Sequence, residues 1–324
     1  MDLKRTELNM IGYKAEKVKK SKDASFIINS LKRDVNLYLM LLPFIIWFII
    51  FAYKPLYSLV IAFQDYSIYK GISGSKWVGF EHFRVFFANP YFFRTLKNTL
   101  LISLFGLVFG FPAPIILALM FNELKSVRYK KIIQTITYMP YFISSVIIVG
   151  IVSSFLAPNR GLLNLIIESF GGTKIYFLTK PQFFKTIFTT MNIWKDTGFG
   201  AVVYIAALSG IDMQLYEAAK IDGASKLKQL IHVTLPGILP TIVIMFILKV
   251  GALMEVGHES ILLLYQPATY ETADVISTYV YRLGVAGGQQ GLAAAVGLFN
   301  SVVSLLLVLT TNFISRKLSE ISLW

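Results

Sequence analysis

Polar residues set into apolar sequence are where this chain could do chemistry. The stretch "MNIWKDTGFG", residues 191–200, places Asn192, Trp194, Lys195 and Asp196 in a run otherwise apolar enough to cross a bilayer. A second apolar run carries Lys249, and Glu255, His258 and Glu259 follow it. A charge at the centre of a membrane helix costs roughly 2.5–3.5 kcal/mol on insertion scales, so each such group must face protein or a water-filled cavity. Lys195 and Asp196 are sequence neighbours, about 100° apart on a helix, and cannot pair face to face within it. Two uses stay open for the group. Its members line a polar pathway, or they join helices, through an ion pair such as Asp196 with Lys249 or through contacts with another subunit.

Bond-breaking chemistry has little to stand on. The chain has no cysteine, which excludes disulfides, thiol catalysis and Cys-ligated metals. His82, His232 and His258 are far apart and form no HxxxH or HExxH spacing, so no metal site is expected. There is no GxSxG and no Ser/His/Asp set. "GISGSK" (71–76) lacks the GxxxxGK[ST] spacing of a phosphate loop. "GFG" (198–200) is too little for a nucleotide fingerprint, and inside a span it suits close helix packing. The reading is of a protein that is not an enzyme and binds no cofactor.

The elements that must position these residues are membrane helices. Of 324 residues, 55% are hydrophobic and 15% charged, and mean hydropathy is +0.62. A soluble domain would carry about a quarter charged residues. Runs of about 20 apolar residues suffice to span a bilayer, and six are present: 35–63, 98–121, 132–155, 187–210, 236–256 and 292–315. The fold class is therefore all-α integral membrane, with a basic tail over 1–34, a transmembrane domain over 35–315 and a short tail over 316–324. The tail 1–34 carries nine Lys/Arg, suggests a surface helix near 24–33, and is not a secretory signal. The net charge of +13 fits topology better than nucleic acid. With both termini inside, 18 Lys/Arg fall in cytoplasmic segments and 10 in outer ones, as the positive-inside rule requires. That orientation needs an even number of spans, which is why 187–210 counts as one despite its charges. Outside lie 64–97 with its aromatic cluster, 156–186 with the amphipathic "RGLLNLIIESFG", and 257–291.

One cytoplasmic stretch stands out. "QLYEAAKIDGASKLKQLIHVTLPGILP" (214–240) reads as helix, sharp bend at Asp222-Gly223, and helix again. Gly supplies backbone angles that other residues avoid. Ala224, Leu227, Leu230 and Ile231 recur as an apolar stripe on the second helix, and Pro236 suits the first turn of the fifth span. A helix lying on lipid would carry bulky anchors. This one has Ala218 and Ala219 beside Glu217, which favours docking to a protein.

At these residues the chain resembles a known family. Glu217-Ala218-Ala219, three residues, Gly223, nine residues, Val233, one residue and Leu235-Pro236 resemble the EAA loop of permease subunits in binding-protein-dependent ABC importers. The family usually has Ile at the position of Val233, a mild swap. "SLVIAFQDYS", "WVGFEHFRVFF" and "AAAVGLFNSVVSLLLVL" are similar to carbohydrate importers, in particular the oligo- and polysaccharide subgroup, alginate and other uronate-containing substrates included. The resemblance implies a type I six-span permease core in the bacterial inner membrane, working by alternating access. It pairs with a second homologous permease and two ATPase subunits that bind ATP and Mg2+, and an extracytoplasmic binding protein delivers the saccharide. It also implies that Glu217, Ala218, Ala219, Asp222, Gly223, Leu235 and Pro236 couple the permease to an ATPase subunit. Sugars are bound by planar polar side chains and aromatic rings, which suits Asn192, Trp194, Asp196 and their neighbours as pathway residues. The outer loops carry 10 Lys/Arg against 6 Asp/Glu, which favours an anionic saccharide. An ion-coupled secondary transporter is the alternative, and it would need no ATPase partner.

Overall fold

The computed structural model describes residues 33–324, so the tail expected over 1–34 lies, apart from its last two residues, outside the described part. Among the described residues, those up to Leu59 belong to one compact unit and those from Val60 onward to another. The first contains most of α1 (Val35–Phe63), a helix with Pro43 inside it and a widened π turn over Phe48–Tyr53.

The second unit begins with a short antiparallel pair, β1 (Gln64–Asp65) and β2 (Lys76–Trp77), the one departure from helix and turn among the described residues. The aromatic outer segment follows. Phe63 stacks on Trp77 with ring centroids 5.6 Å apart, and α2 (Glu81–Ala88) buries Phe86 completely. Phe86 meets Phe92 and Phe299 in a cluster with Met254, Ile276, Leu292 and Val296. Phe86 and Phe92 thus anchor the segment in the protein, while Trp77, Phe80 and Phe93 stay exposed.

Four helices are long and apolar enough to cross a membrane: α1, α3 (Tyr91–Glu123), α9 (Lys226–Gly251) and α12 (Gln290–Ser319). Two bent pairs raise the number to six. In the first pair, α4 (Val127–Phe142) meets α5 (Ser145–Phe155) at 101°. The continuous span expected over 132–155 is therefore broken. Pro140 tightens the end of α4 into a 3-10 turn, and Ile143 and Ser144 are extended, with Ser144 starting α5. Pro supplies no N–H to carry the ladder through. In the second pair, α7 (Pro181–Ser209) meets α8 (Met213–Ile221) at 69°. At 1.5 Å per residue α7 is about 43 Å long, enough by itself for a bilayer core of about 30 Å.

"GFG" marks the tightest helix crossing. A Cβ on Gly198 would lie 1.9 Å from the Thr137 carbonyl oxygen, so α7 rests directly on the backbone of α4. Phe199 stacks on Tyr141 at 4.2 Å, and Gly200 faces the Pro114 ring of α3. The short helix α6 (Leu162–Ser169) is pinned by buried Asn164, whose amide donates to the Ala157 and Ile175 carbonyls and accepts from the Ile175 N–H. At the other end α12 closes on itself: Glu320 takes a left-handed conformation (φ 56°), Ser315 donates to the Ile321 carbonyl and the Leu323 N–H donates to Asn312.

Candidate functional site

The hairpin over 211–235 is built by local rules. Asp212 caps α8 by accepting from the Gln214 N–H at 2.9 Å. The helix stops at Gly223, which has φ +73°. The Ala224 N–H then reaches the Ala219 carbonyl and the Gly223 N–H reaches the Lys220 carbonyl, the paired bonds of a Schellman stop. Ser225 caps the next helix. Glu217 and Ala218 are exposed, Ala219 is half-buried, and Ile221 at 87% exposure stands at the tip.

Three side-chain contacts fix the hairpin angle, and sequence reasoning missed them. Tyr216 and Thr234 share a hydroxyl hydrogen bond of 2.9 Å. The Gln229 amide donates to the Ala224 carbonyl. Lys226 pairs with Glu123 at the end of α3, 3.1 Å away. Gln229 and Thr234 are buried, whereas Leu227 (65%) and Ile231 (48%) are exposed. Of the apolar stripe on the second helix, Ala224 and Leu230 are half-buried and Leu227 and Ile231 face outward. Its inner side is polar because it bonds the loop carbonyl and Tyr216.

Pro236 also has a different setting from the one expected. It does not begin a new span, because α9 runs from Lys226 to Gly251 as one helix. A π turn over Leu230–Thr234 lies just ahead of it. Widening the helix there accommodates a residue that lacks an N–H and crowds the carbonyl four places back. The second helix of the hairpin and the apolar helix after it are thus one element, with no loop between them.

Gly223→Val is expected to misdirect the second helix. A β-branched residue at positive φ costs about 1–3 kcal/mol, and a Cβ there would meet nothing within 4 Å, so the cost is backbone strain alone. The variant should insert and fold but lose retention of its cytoplasmic partner in a pull-down. Retention equal to wild type would show that the left-handed turn is dispensable.

The polar residues of α7 divide by face. With about 100° per residue, Asn192, Lys195 and Asp196 share one side and Trp194 points the other way. Trp194 lines an apolar cavity of about 550 Å³ with Ile151, Phe155 and Met191, apart from the charged group. Lys195 donates to the Ser145 hydroxyl at 3.3 Å, bridging α7 to α5. Lys195 and Lys249 are near enough for their charges to act on Asp196. Yet the ion pairs among the described residues include neither with Asp196, so the direct Asp196–Lys249 bridge entertained from sequence is not formed. Asp196, Lys249, Glu255, His258 and Glu259 are all exposed on this chain. Charged groups at membrane depth cannot face lipid, so the surface bearing Asp196 and Lys249 faces water or another subunit.

A further cluster ties the segment 257–289 to the start of α3. It joins residues about 180 positions apart, which is why no spacing in the sequence reveals it. Asp274 is fully buried; both its oxygens accept from Arg282 at 2.7 Å, and Arg94 approaches to 3.4 Å. Thr278 donates to it at 2.8 Å. Asn98 of α3 donates to the Glu271 and Asp274 carbonyls, and Thr99 accepts from the Ile276 N–H. The hydrogen bonds to Asp274 hold the Arg282 guanidinium protonated well above its usual range, against the opposing effect of burial. These bonds clamp the outer segment 257–289 to the start of α3. Among the described residues no group of His, Cys, Asp and Glu could hold a metal ion.

Residues 110–320 match the family described as binding-protein-dependent transport system inner membrane component. The chain is 42% identical to Protein LplB of Bacillus subtilis (strain 168) over 291 residues, 90% of this chain and 92% of that one. It is 43% identical to the polygalacturonan/rhamnogalacturonan transport system permease protein YteP of the same organism, over 93% of this chain and 94% of that one. Among solved structures it is similar to a chain of a bacterial alginate ABC transporter in complex with alginate pentasaccharide-bound periplasmic protein. That match has a TM-score of 0.84 and 47% identity, and covers 91% of this chain and 99% of the other. A second structure, of a bacterial ABC transporter involved in the import of the acidic polysaccharide alginate, matches with TM-score 0.84 and 48% identity over 90% of this chain and 99% of that one.

Proposed function

This chain belongs to the binding-protein-dependent transport system inner membrane components, and from that we propose that it is the permease subunit through which an acidic oligo- or polysaccharide is imported. Its work is transport and not catalysis; ATP is hydrolysed by separate ATPase subunits. Dependence on a binding protein disfavours the ion-coupled secondary transporter.

The observation that carries the reading is the hairpin: an exposed Glu217 on a helix stopped by a left-handed glycine, followed without a break by a membrane helix. Glu217, Ala218, Ala219, Asp222 and Gly223 form the contact with an ATPase subunit, and Leu235 and Pro236 carry it into α9. The exposed Ile221 and Leu227 supply apolar area that would be covered in that contact. The full assembly is this chain, a second homologous permease, two ATPase subunits holding ATP and Mg2+, and an extracytoplasmic binding protein. This chain itself holds no cofactor, and its termini are cytoplasmic. ATP-driven closure of the ATPase pair shifts the permease pair between inward- and outward-open states.

The names of the similar proteins supply the substrate class. Polygalacturonan, rhamnogalacturonan and alginate all contain uronate residues, and the basic outer loops of this chain suit them. Asn192, Lys195, Asp196 and Lys249 line the pathway at the exposed surface shared with the second permease. Trp194 bounds the neighbouring apolar cavity, and Glu255, His258 and Glu259 stand at its outer end.

The test is reconstitution with Glu217→Ala. Import of an oligogalacturonate should fall at least about tenfold, the effect of losing a charged hydrogen bond worth about 1.5–3 kcal/mol, while ATP hydrolysis loses its dependence on loaded binding protein. Wild-type import with wild-type stimulation of the ATPase would refute the lever.

A further inference from the structure

Two cavities of nearly equal size open on the chain and differ in chemistry. The one beside Trp194, about 550 Å³, is walled by Ile151, Phe155, Leu163, Phe183 and Met191, and its lining offers two threonine hydroxyls and the Trp194 indole N–H as polar groups. The other, about 570 Å³, lies between α10 (His258–Leu264), α11 (Ile276–Tyr281) and the outer third of α12. Its polar lining is His258, Ser277, Tyr281, Gln290 and Asn300. Both sizes fall in the range of small-molecule sites, about 300–1,000 Å³. Only the second has the groups to read a hydroxylated ligand.

We propose that this second cavity is a subsite for one uronate residue of the transported saccharide, at the outer end of the pathway. The inference rests on the saccharide-import reading above and assigns residues that reading did not contain.

Room is made by small residues. Gly284, Ala293, Ala294 and Gly297 line the cavity, and a Cβ on Gly297 would meet nothing within 4 Å. The Asn300 side chain is half committed: its amide nitrogen donates to the Met254 carbonyl at 3.4 Å, while its oxygen is buried with no hydrogen-bond partner. The oxygen has essentially no accessible surface, so the amide must turn into the cavity to accept from a sugar hydroxyl. The Tyr281 and His258 rings stand 6.0 Å apart at 52°, an aromatic corner against which the apolar face of a pyranose can pack. Gln290 can bond either a hydroxyl or a carboxylate. Charges of both signs adjoin the site: Arg282 follows Tyr281 and shares the Asp274 carboxylate with Arg94, while Glu259 follows His258. From Gln290 to Asn300 the helix rises about 15 Å, several times the length of one pyranose ring, so one amide contacts the uronate in the subsite and the other a neighbouring unit of the chain.

The absence of cysteine makes the test direct. In the complete reconstituted transporter, Ala294→Cys gives this subunit one thiol. A charged methanethiosulfonate added from the outer side should modify it, and binding protein loaded with an oligogalacturonate should slow modification several-fold, while empty binding protein should not. Met191→Cys, in the apolar cavity and buried, should stay unmodified by the same charged reagent. Asn300→Leu and Gln290→Ala should each lower oligogalacturonate import about fivefold at equal amounts of assembled transporter, the loss expected for one hydrogen bond. An unreactive Ala294→Cys in the complex that becomes reactive in the isolated chain would overturn the proposal, because a helix of the second permease then fills the groove. Modification unaffected by the loaded saccharide would overturn it as well. Wild-type import of oligogalacturonate with both variants unimpaired would sink the subsite and leave the saccharide reading standing. A wild-type transporter that imports neither an oligogalacturonate nor an alginate oligosaccharide would sink that reading first.

Discussion

Gly198→Val should prevent the helix bundle from assembling. The position has no room for any side chain: a Cβ would sit 1.9 Å from the Thr137 oxygen, 2.4 Å from its carbon and 3.0 Å from the Tyr138 nitrogen. Ordinary overpacking costs about 1–3 kcal/mol. Here the obstacle is backbone, which cannot rotate away, so α7 must lift off α4 and break the Tyr141–Phe199 stack at 4.2 Å. Even Gly198→Ala should lower the melting temperature of the solubilised protein clearly. Gly150→Ala provides the comparison, since a Cβ there meets nothing within 4 Å; it should be near neutral. Gly200→Ala should fall between, because its neighbour is the Pro114 ring at 3.1 Å. Equal melting temperatures across the three would mean that α7 and α4 do not cross at Gly198.

The second large effect is expected at Asp274. Its carboxylate is fully buried, takes a bidentate contact from Arg282 and lies against Arg94. Asp274→Ala leaves two guanidinium groups without a counter-charge, and breaking a buried pair by removing one partner costs about 3–5 kcal/mol. The lower end applies, because Arg94 and Arg282 keep about a third of their side-chain surface (33% and 31%) and can regain hydration. The clamp between α3 and the outer segment should loosen, exposing 257–289 to protease in membranes. Asp274→Ala combined with Arg282→Ala should cost less than the two single changes added together. Strict additivity would show that the bidentate pair does not act as a unit. Because the same segment carries Tyr281 and one wall of the polar cavity, import should fall with stability in the single variant.

The sequence by itself determined what depends on local chemistry. Bilayer physics requires about 20 apolar residues per span, so the membrane class and most of the span positions were legible. The stop at Gly223 and the paired alanines beside Glu217 are each read within a few residues, so the helical hairpin itself was legible too. "GFG" indicated a close crossing, although not with which backbone. The tertiary structure decided everything set by contacts across the chain. The elbow after Pro140 depends on how α4 ends against α7. The unbroken α9 depends on a π turn that lets Pro236 stay inside a helix. The outward face of Leu227 and Ile231 depends on Tyr216, Gln229 and Thr234 occupying the inner one. Asp196 and Lys249 attract in sequence as an ion pair, but the helices bring them near without contact. Asp274 meets Arg94 across 180 residues, and Tyr281, Gln290 and Asn300 gather on one cavity from two separate elements. No periodicity encodes such meetings, because they are settled by helix rotation and crossing, and these answer to the packing of the whole bundle.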